Sequence, residues 1–399
     1  MKRKNRTIGA LLLACLLLLN ACGRVPAPEA AEERPEADQG TDEPVQPPEP
    51  AAPVEPARAT LVAAGDNLLH NTISWDAQQA DGGYDFRPVY QHVKGLIEAA
   101  DVAFINQEVP LSGTVGRYPN LDAPQQAADA VVDCGFDIVN EATNHALDKG
   151  AGGLMTTLEG WRQRGIPVTG AYLSAEDAQT PRLLEKNGIT FGFLGYTYGT
   201  NGIPVPQDKP FCIALIDQEK IKADLAALRP QCDYLVVSMH WGTEYRLTPT
   251  DEQRQLAQML ADNGADLIIG HHPHVLEPAE WLTRPDGGQT FCVYSLGNFV
   301  SSQNDKATML GGLLSLTVVR EADGAVRTEA PGVLPVITHF ENGGKNYCIY
   351  PLEDYPQDLI AKHAVRKYDS PITLEYYNGL ADQVLGEFKQ IKETFACRP

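Results

Sequence analysis

The chain between residues 59 and 300 alternates short apolar runs with stretches of helical periodicity. A short apolar run that ends in glycine or in a polar side chain is typical of a buried strand. Strands are predicted at residues 59–64, 102–105, 136–139, 234–239 and 267–270. Helices are predicted at residues 88–100, 125–134, 152–164 and 251–263. This alternation predicts an α/β fold in which helices lie outside a layered sheet.

Two other segments, residues 181–196 and 288–318, contain paired apolar runs separated by turn-forming residues. We interpret each segment as a β-hairpin. Because hairpin strands are antiparallel and strands joined through helices are parallel, the sheets are expected to be mixed.

The first residues have the pattern of a targeting segment. Lys2, Arg3, Lys4 and Arg6 precede an apolar run at residues 8–19 that is too short to span a bilayer as a helix. The run ends in Leu19-Asn20-Ala21-Cys22, which resembles the cleavage site of a bacterial lipoprotein signal. The resemblance implies that residues 1–21 are removed and that Cys22 carries a lipid. An ordinary secretory signal cut nearby is the alternative, and under both interpretations the mature protein works outside the cytoplasm.

Residues 22–58 are rich in proline, glutamate and alanine and contain almost no large apolar residue. Such a segment cannot bury enough surface to offset the entropy of ordering it. It is therefore predicted to be an extended, disordered tether that holds a globular body off the membrane.

The chain has 32 basic and 52 acidic residues, and its formal net charge is -20. This balance excludes nucleic acid as an expected partner. The same negative field repels polyanions at long range, unless a local basic pocket or bound cations reverse its sign.

Polar side chains with metal-binding or proton-transfer chemistry follow one predicted strand after another. Because the ends of such strands meet at one edge of a sheet, these residues are expected to be neighbours. They are Asp66, Glu108, Asn144, His145, His240, His272 and His274. A mixed set of carboxylate, amide and imidazole groups suits Mn, Fe or Zn better than Mg or Ca. Taken singly, each residue has a structural alternative: a helix cap, a surface carboxylate, or a solvated histidine-rich loop at residues 271–274.

Six stretches of the sequence resemble one known family. They are Gly65-Asp66-Asn67-Leu68-Leu69-His70, Asn106-Gln107-Glu108-Val109-Pro110-Leu111, Thr143-Asn144-His145-Ala146-Leu147-Asp148, His240-Trp241-Gly242-Thr243-Glu244-Tyr245, Gly270-His271-His272-Pro273-His274 and Ser295-Leu296-Gly297-Asn298-Phe299-Val300. Together they resemble the CapA family of bacterial capsule (poly-γ-glutamate) synthesis proteins, within the calcineurin-like metallophosphoesterase superfamily. The resemblance implies two packed mixed β-sheets flanked by helices, a family domain at residues 59–355 and a helical C-terminal extension at residues 356–399.

The resemblance also implies roles for individual residues. The implied metal ligands, for one or two divalent ions, are Asp66, Glu108, Asn144, His240, His272 and His274. His145 resembles the superfamily's proton donor. Residues implied to support the ligands or to touch substrate are His70, His271, Glu244 and Asn298. The chain departs from the superfamily where Leu68 replaces the histidine of its D-x-H motif, and where Glu108 replaces an aspartate.

Two functions follow as hypotheses. The first is a lipid-anchored, extracytoplasmic, metal-dependent phosphoesterase that acts in capsule or cell-envelope polymer synthesis. The second is a non-catalytic, metal-binding accessory of a polymer synthesis or export complex. The expected partners are the membrane, the subunits of such a complex and an anionic polymer.

Overall fold

Two mixed β-sheets pack face to face with helices on their outer sides, as described by a computed structural model for residues 55–395. The strands are β1 (Ala57–Asn67), β2 (Val102–Gln107), β3 (Ile138–Asn140), β4 (Val168–Thr169), β5 (Arg182–Lys186), β6 (Ile189–Thr197), β7 (Tyr234–His240), β8 (Leu267–His271), β9 (Leu276–Thr283), β10 (Gln289–Leu296), β11 (Asn298–Val300), β12 (Leu310–Arg320), β13 (Val326–Glu341) and β14 (Lys345–Pro351). This architecture confirms the predicted α/β class with two mixed sheets.

The helices are short, and most of them connect parallel strands that follow one another in the sequence. They are α1 (Asn71–Ala77), α2 (Arg87–Tyr90), α3 (Lys94–Glu98), α4 (Gln126–Asp133), α5 (Gly150–Gln163), α6 (Ala175–Gln179), α7 (Gln218–Leu228), α8 (Asp251–Asp262), α9 (Gln357–Lys362) and α10 (Leu374–Leu385). In the described part of the chain, no helix has the length and apolar character needed to cross a membrane.

The first sheet has the strand order β14-β13-β12-β1-β2-β3-β4, and β11 also pairs with the end of β1. Strands β1 to β4 are parallel, whereas β12, β13 and β14 are antiparallel to their neighbours. The second sheet has the order β5-β6-β7-β8-β10-β9, with β6, β7, β8 and β10 parallel. Both sheets therefore have a parallel centre, whose strand ends can present side chains at one edge.

Apolar side chains from both sheets fill the space between them. Phe104 of β2 stacks on Phe193 of β6 with ring centroids 6.2 Å apart, and both rings are buried. Strands covered on both faces read as continuous apolar runs, which is why the sequence pattern located them. All five strands predicted from apolar runs are confirmed, as are the helices predicted at residues 125–134, 152–164 and 251–263.

Two expectations need correction. The helix predicted at residues 88–100 is divided into α2 and α3 by a turn, in which Val93 N donates to Tyr90 O. A turn of this kind keeps the apolar spacing nearly unchanged, so periodicity does not detect it. The hairpin predicted at residues 288–318 is wrong, because β10 lies in the second sheet and β12 in the first. The hairpin predicted at residues 181–196 is confirmed as β5 and β6.

The last described residues pack against both sheets. Tyr377 of α10 is buried in the main core, and Gln390 N donates to Val333 O of β13 at 2.9 Å. The signal segment, Cys22 and most of the tether predicted from the sequence lie outside the described residues.

Candidate metal centre

Both sheets deliver polar side chains to the same place. Asp66 lies near the end of β1 and Glu108 directly follows β2, its parallel neighbour in the first sheet. His240 ends β7 in the second sheet and pairs in register with His271, which ends β8. His272 is the first residue beyond β8. The candidate site therefore lies where the ends of four parallel strands meet.

Two glycines allow this close approach of backbones. A Cβ atom on Gly65 would lie 2.1 Å from Gly297 O, which accepts a hydrogen bond from Asp66 N. A Cβ atom on Gly270 would lie 1.7 Å from Tyr294 O. Glycine at both positions lets the segments that carry Asp66 and His271 pack without a steric clash.

A buried cluster of Glu108, His272 and His274 has the geometry of a metal site. One ligand atom from each residue lies within 4.8 Å of the other two. His272 and His274 both have positive φ angles, 98° and 60°. Such backbone conformations are costly for residues other than glycine and are concentrated at functional sites. Here they accompany a turn that brings both imidazoles to Glu108.

The other candidate ligands surround this cluster. Asp66 Oδ2 lies 3.2 Å from His274 Nδ1, and Asp66 Oδ1 accepts a hydrogen bond of 2.9 Å from Asn106 Nδ2. On the opposite side, His240 Nε2 lies 2.9 Å from Asn144 Oδ1 and 3.8 Å from Glu108 Oε1. The structure thus brings all six candidate ligands into one buried shell.

Several polar atoms in this shell have no hydrogen-bond partner among the described residues. They are both carboxylate oxygens of Glu108, Nδ1 of His240, Nδ1 of His272, and both ring nitrogens of His271. A buried, unpaired carboxylate is strongly unfavourable unless a cation or a donor compensates it. The carboxylate, amide and imidazole groups of this shell are the ligands that Mn, Fe and Zn prefer, so the residues fit one or two divalent ions.

The pKa values reflect burial and crowding in this shell. Burial raises the pKa of Glu108 well above its ordinary value. Burial lowers the pKa of His240 well below its ordinary value and that of His272 to about 3, so both rings are neutral and available as ligands at neutral pH. Burial opposes ionisation of Asp66, but its hydrogen bond and charge interaction with His274 prevail. Burial likewise opposes protonation of His274, but the neighbouring carboxylates of Glu108 and Asp66 prevail. The pKa of Asp66 is lowered and that of His274 is raised to about 9.

His145 forms a hydrogen-bonded pair with Asp148 beside the cluster. His145 Nδ1 lies 2.7 Å from Asp148 Oδ2, and both side chains are buried. Thr143 Oγ1 donates to Glu108 O at 2.7 Å, which ties the loop carrying Asn144 and His145 to the end of β2. Because Asp148 occupies Nδ1, the Nε2 atom of His145 is the one free to exchange a proton.

The four remaining candidates lie in different surroundings. Asn298 is buried, and its Oδ1 lies 3.1 Å from His274 Nδ1, so it orients that ring. His271 is buried with its Nδ1 3.6 Å from Asp66 Oδ1. His70 immediately precedes α1 and contacts Leu68 O and Ser302 N rather than a ligand side chain. Glu244 is exposed, and the hydrogen bonds of the site histidines within residues 55–395 go to other groups.

Two residues from the loop after β6 were missed by the sequence analysis. Asn201 accepts a hydrogen bond of 3.1 Å from Asn144 Nδ2 and lies 3.4 Å from His145 Nδ1. The ring of Tyr198, 49% exposed, lies 4.6 Å from that of His272. Neither belongs to a recognisable motif, so no local signal marked them. Asp148, by contrast, has such a signal, because it lies three residues after His145 on one turn of chain.

A search of solved structures gives a partial likeness to a 5'-nucleotidase precursor from Thermus thermophilus. The two chains are 16% identical with a TM-score of 0.42, over 68% of this chain and 54% of the other. Similarity at this level gives no information on activity.

Two curated relatives are more similar in sequence. One is the PGA biosynthesis protein CapA of Bacillus subtilis, 32% identical over 59% of this chain and 62% of the relative. The other is the capsule biosynthesis protein CapA of Bacillus anthracis, 29% identical over 65% of this chain and 64% of the relative. The match thus spans less than two thirds of the length of each relative.

The family model described as bacterial capsule synthesis protein PGA_cap matches residues 60–303. This range contains every candidate residue of the buried shell and more than half of the chain. The chain therefore belongs to the bacterial capsule synthesis protein PGA_cap family.

Proposed function

We propose that this protein is a divalent-metal-dependent phosphoesterase that acts at the cell envelope in the synthesis of capsule or poly-γ-glutamate. The observation that carries the proposal is the His145–Asp148 pair beside the buried cluster of Glu108, His272 and His274. A site that only binds a metal for structure has no need of a positioned proton donor.

The residues of the shell have separate tasks under this proposal. Glu108, His272 and His274 hold a metal ion, and Asp66, His240 and Asn144 complete one or two coordination sites. Bound divalent ions would lower the pKa of a coordinated water and neutralise charge on the phosphoryl oxygens. Asn298 fixes the ring of His274, and Asn201 fixes the side chain of Asn144.

His145 acts on the leaving group. Asp148 stabilises the protonated imidazole through Nδ1, and Nε2 donates a proton to the oxygen of the departing alcohol. Burial of the pair keeps bulk water from competing for that proton.

The direct test is metal analysis of the purified protein coupled to a screen of phosphoesters with Mn, Zn or Fe added. The proposal predicts at least one tightly bound ion and hydrolysis that a chelator abolishes. Metal-loaded protein that hydrolyses no phosphoester of the screen would contradict it.

A second candidate function is a metal-binding accessory of a polymer synthesis complex. It is favoured by the description of the family, which names synthesis and not hydrolysis. Under this alternative the metal shell supports the structure or binds the polymer, and His145 can be replaced without loss of polymer production.

The membrane anchor is a further part of the proposal. If Cys22 carries a lipid, Cys22→Ser should move the protein from the membrane fraction to the soluble fraction, because a lipid chain supplies most of the membrane affinity of such a protein. Cell fractionation with immunoblotting measures this, and Cys348→Ser, which changes a buried cysteine of the folded body, is the control. Unchanged membrane retention of Cys22→Ser would contradict a lipoprotein anchor.

A further inference from the structure

Most lysine and arginine side chains of residues 55–395 form an ion pair with a carboxylate of the same range. This is expected in a chain whose acidic residues outnumber its basic ones. Within that range, the basic side chains without such a partner are Arg117, Lys149, Arg246, Arg366 and Lys367. The first three belong to loops that follow Glu108, His145 and His240 in the sequence.

Arg117 lies at the tip of a loop, residues 112–122, that is firmly held at its base. The buried carboxylate of Asp122 accepts hydrogen bonds from the backbone and hydroxyl groups of Ser112 and Thr114. Leu121 N donates at 2.7 Å to Asp148 Oδ2, the same oxygen that contacts His145. The carboxylate that holds the proton donor therefore also holds the loop.

The tip of this loop is exposed, and its base contacts Asp148, the partner of His145. The Arg117 guanidinium lies 5.0 Å from the centre of the Trp75 ring, which leaves its N–H groups free for an anion. Tyr118 is 78% exposed.

Arg246 lies on the loop across the site, residues 241–250. Its neighbour Tyr245 has its ring 6.1 Å from the His274 ring, and Tyr245 N donates to Pro273 O at 2.8 Å. Arg246 is exposed, as is Glu244 on the same loop, and no ion pair joins the two. The loop that carries Arg246 is thus tied to the histidine turn.

Arg117 and Arg246 form no ion pair with a carboxylate of residues 55–395, so their charge is available to an anionic ligand. The net charge of -20 repels anions at long range, so an anionic substrate requires local cations. Guanidinium groups recognise carboxylate and phosphate groups through paired N–H donors. Two of them, on loops that flank the site, match a substrate with anionic groups beyond the reacting phosphorus.

We propose that Arg117 and Arg246 bind a second anionic group of the substrate, a carboxylate or a phosphate, outside the metal centre. The catalytic test of this inference depends on the proposed phosphoesterase function, whereas the binding test does not. The inferred substrates are phosphoesters whose alcohol part is itself anionic, such as a segment of an acidic polymer.

The catalytic test compares two substrates that differ by one carboxylate. Phenyl phosphate and 4-carboxyphenyl phosphate are assayed with wild type, Arg117→Gln, Arg246→Gln and the double variant. The ratio of kcat/KM for the carboxylated over the plain ester should fall at least about tenfold in the double variant, mainly through KM, because the charge-assisted contacts of both arginines with the carboxylate are lost. Equal losses on both esters, or no loss, would overturn the proposal.

Arg327→Gln is the matched control. Arg327 is exposed and pairs with Val319 of β12. The next residue of β12, Arg320, pairs with Ala57 at the start of β1, whereas Asp66 lies near the end of that strand. Arg327→Gln therefore removes one positive charge far from Asp66, so its ester ratio should equal that of wild type.

The binding test separates failure of this inference from failure of the proposed function. Binding of polyglutamate, polyphosphate and neutral dextran is measured with metal-loaded protein at two salt concentrations. Weaker binding of either anionic polymer to Arg117→Gln and to Arg246→Gln than to Arg327→Gln, each of which removes one charge, supports the arginine site even if no ester is hydrolysed, and the preferred polymer identifies carboxylate or phosphate. Equal binding to all three single variants refutes the site, whatever the hydrolysis assay shows.

Discussion

Two groups of buried histidines have opposite surroundings. At the metal centre, His240, His271 and His272 have ring nitrogens without a partner and lie close to the buried carboxylates of Asp66 and Glu108. Under the C-terminal segment, His363 is fully satisfied by the protein: its Nε2 lies 2.9 Å from Thr338 O and its Nδ1 accepts from Val365 N. His339, next to it, contacts the Tyr355 hydroxyl through Nδ1 at 2.6 Å, while its Nε2 has no hydrogen-bond partner within residues 55–395 and lies 3.8 Å from the partly exposed carboxylate of Glu341.

The comparison shows that burial alone does not mark a functional histidine. Burial lowers the pKa in both groups, to about 3 for His272 and to about 4 for His363. What differs is whether several unpaired ring nitrogens converge on buried carboxylates, as they do at the metal centre, or whether a single one lies near a partly exposed carboxylate, as at His339. Among residues 55–395, only Glu108, His272 and His274 bring three potential ligand atoms of this kind within 4.8 Å of each other. Unpaired nitrogens beside a buried carboxylate therefore indicate a metal site, and satisfied nitrogens indicate a structural role.

The largest expected effect concerns His145. His145→Ala should lower the hydrolysis rate by about 10²–10⁴-fold, the usual contribution of general acid–base catalysis, with bound metal and fold retained. Kinetics, metal analysis and thermal unfolding measure the three quantities. His145→Gln, which keeps a polar side chain near Asp148 but transfers no proton, should lose as much.

The same variants separate the two candidate functions in cells. Folded, metal-loaded His145→Ala protein that fully supports polymer production would refute hydrolysis as the main role. Loss of polymer production with metal retained would refute the accessory role.

A second prediction contrasts the histidine groups directly. His272→Ala removes an imidazole from the shell and should lower metal content and stability together, because a ligand present at 100 times its Kd stabilises the folded state by about 2.7 kcal/mol. His240→Ala should behave in the same way. His363→Ala should keep full metal content although it loses stability. Full metal occupancy in His272→Ala would remove that residue from the ligand set.

The smallest expected effect is the pH dependence of the free energy of unfolding that His363, under the C-terminal segment, contributes. Burial lowers the pKa of His363 from 6.5 to about 4, so the unfolded chain takes up a proton at a higher pH than the folded chain. The free energy of unfolding should therefore fall as the pH falls from 6.5 towards 4, by about 2 kcal/mol at pH 5. Denaturant unfolding of chelator-treated wild type and His363→Gln at pH 7 and pH 5 measures this. An equal loss in both proteins would show that His363 does not cause it.

Part of this molecule could be predicted from local sequence patterns. Continuous apolar runs located the central strands, and the polar residues directly after them, such as Glu108 and His240, lie in the shell because parallel strands end at a common edge. Other features depend on partners far along the chain. β10 and β12 have equally apolar sequences, and only packing assigns them to different sheets. Asn201 reaches Asn144 through the course of a loop that no periodicity describes.

The sequence by itself determined the alternation of strands and helices and the set of residues at the strand ends, because both follow from short-range patterns of apolar and polar side chains. The tertiary structure alone decided which of these residues remain unpaired. His271, His272 and His274 lie within four residues of the sequence, yet the positive φ angles of His272 and His274 accompany a turn that brings those two rings to Glu108, while His271 stacks on Phe104 with its Nδ1 3.6 Å from Asp66 Oδ1. The reason is physical: hydrogen bonds and burial are set by groups brought together from both sheets, and those distances do not exist until the chain has folded.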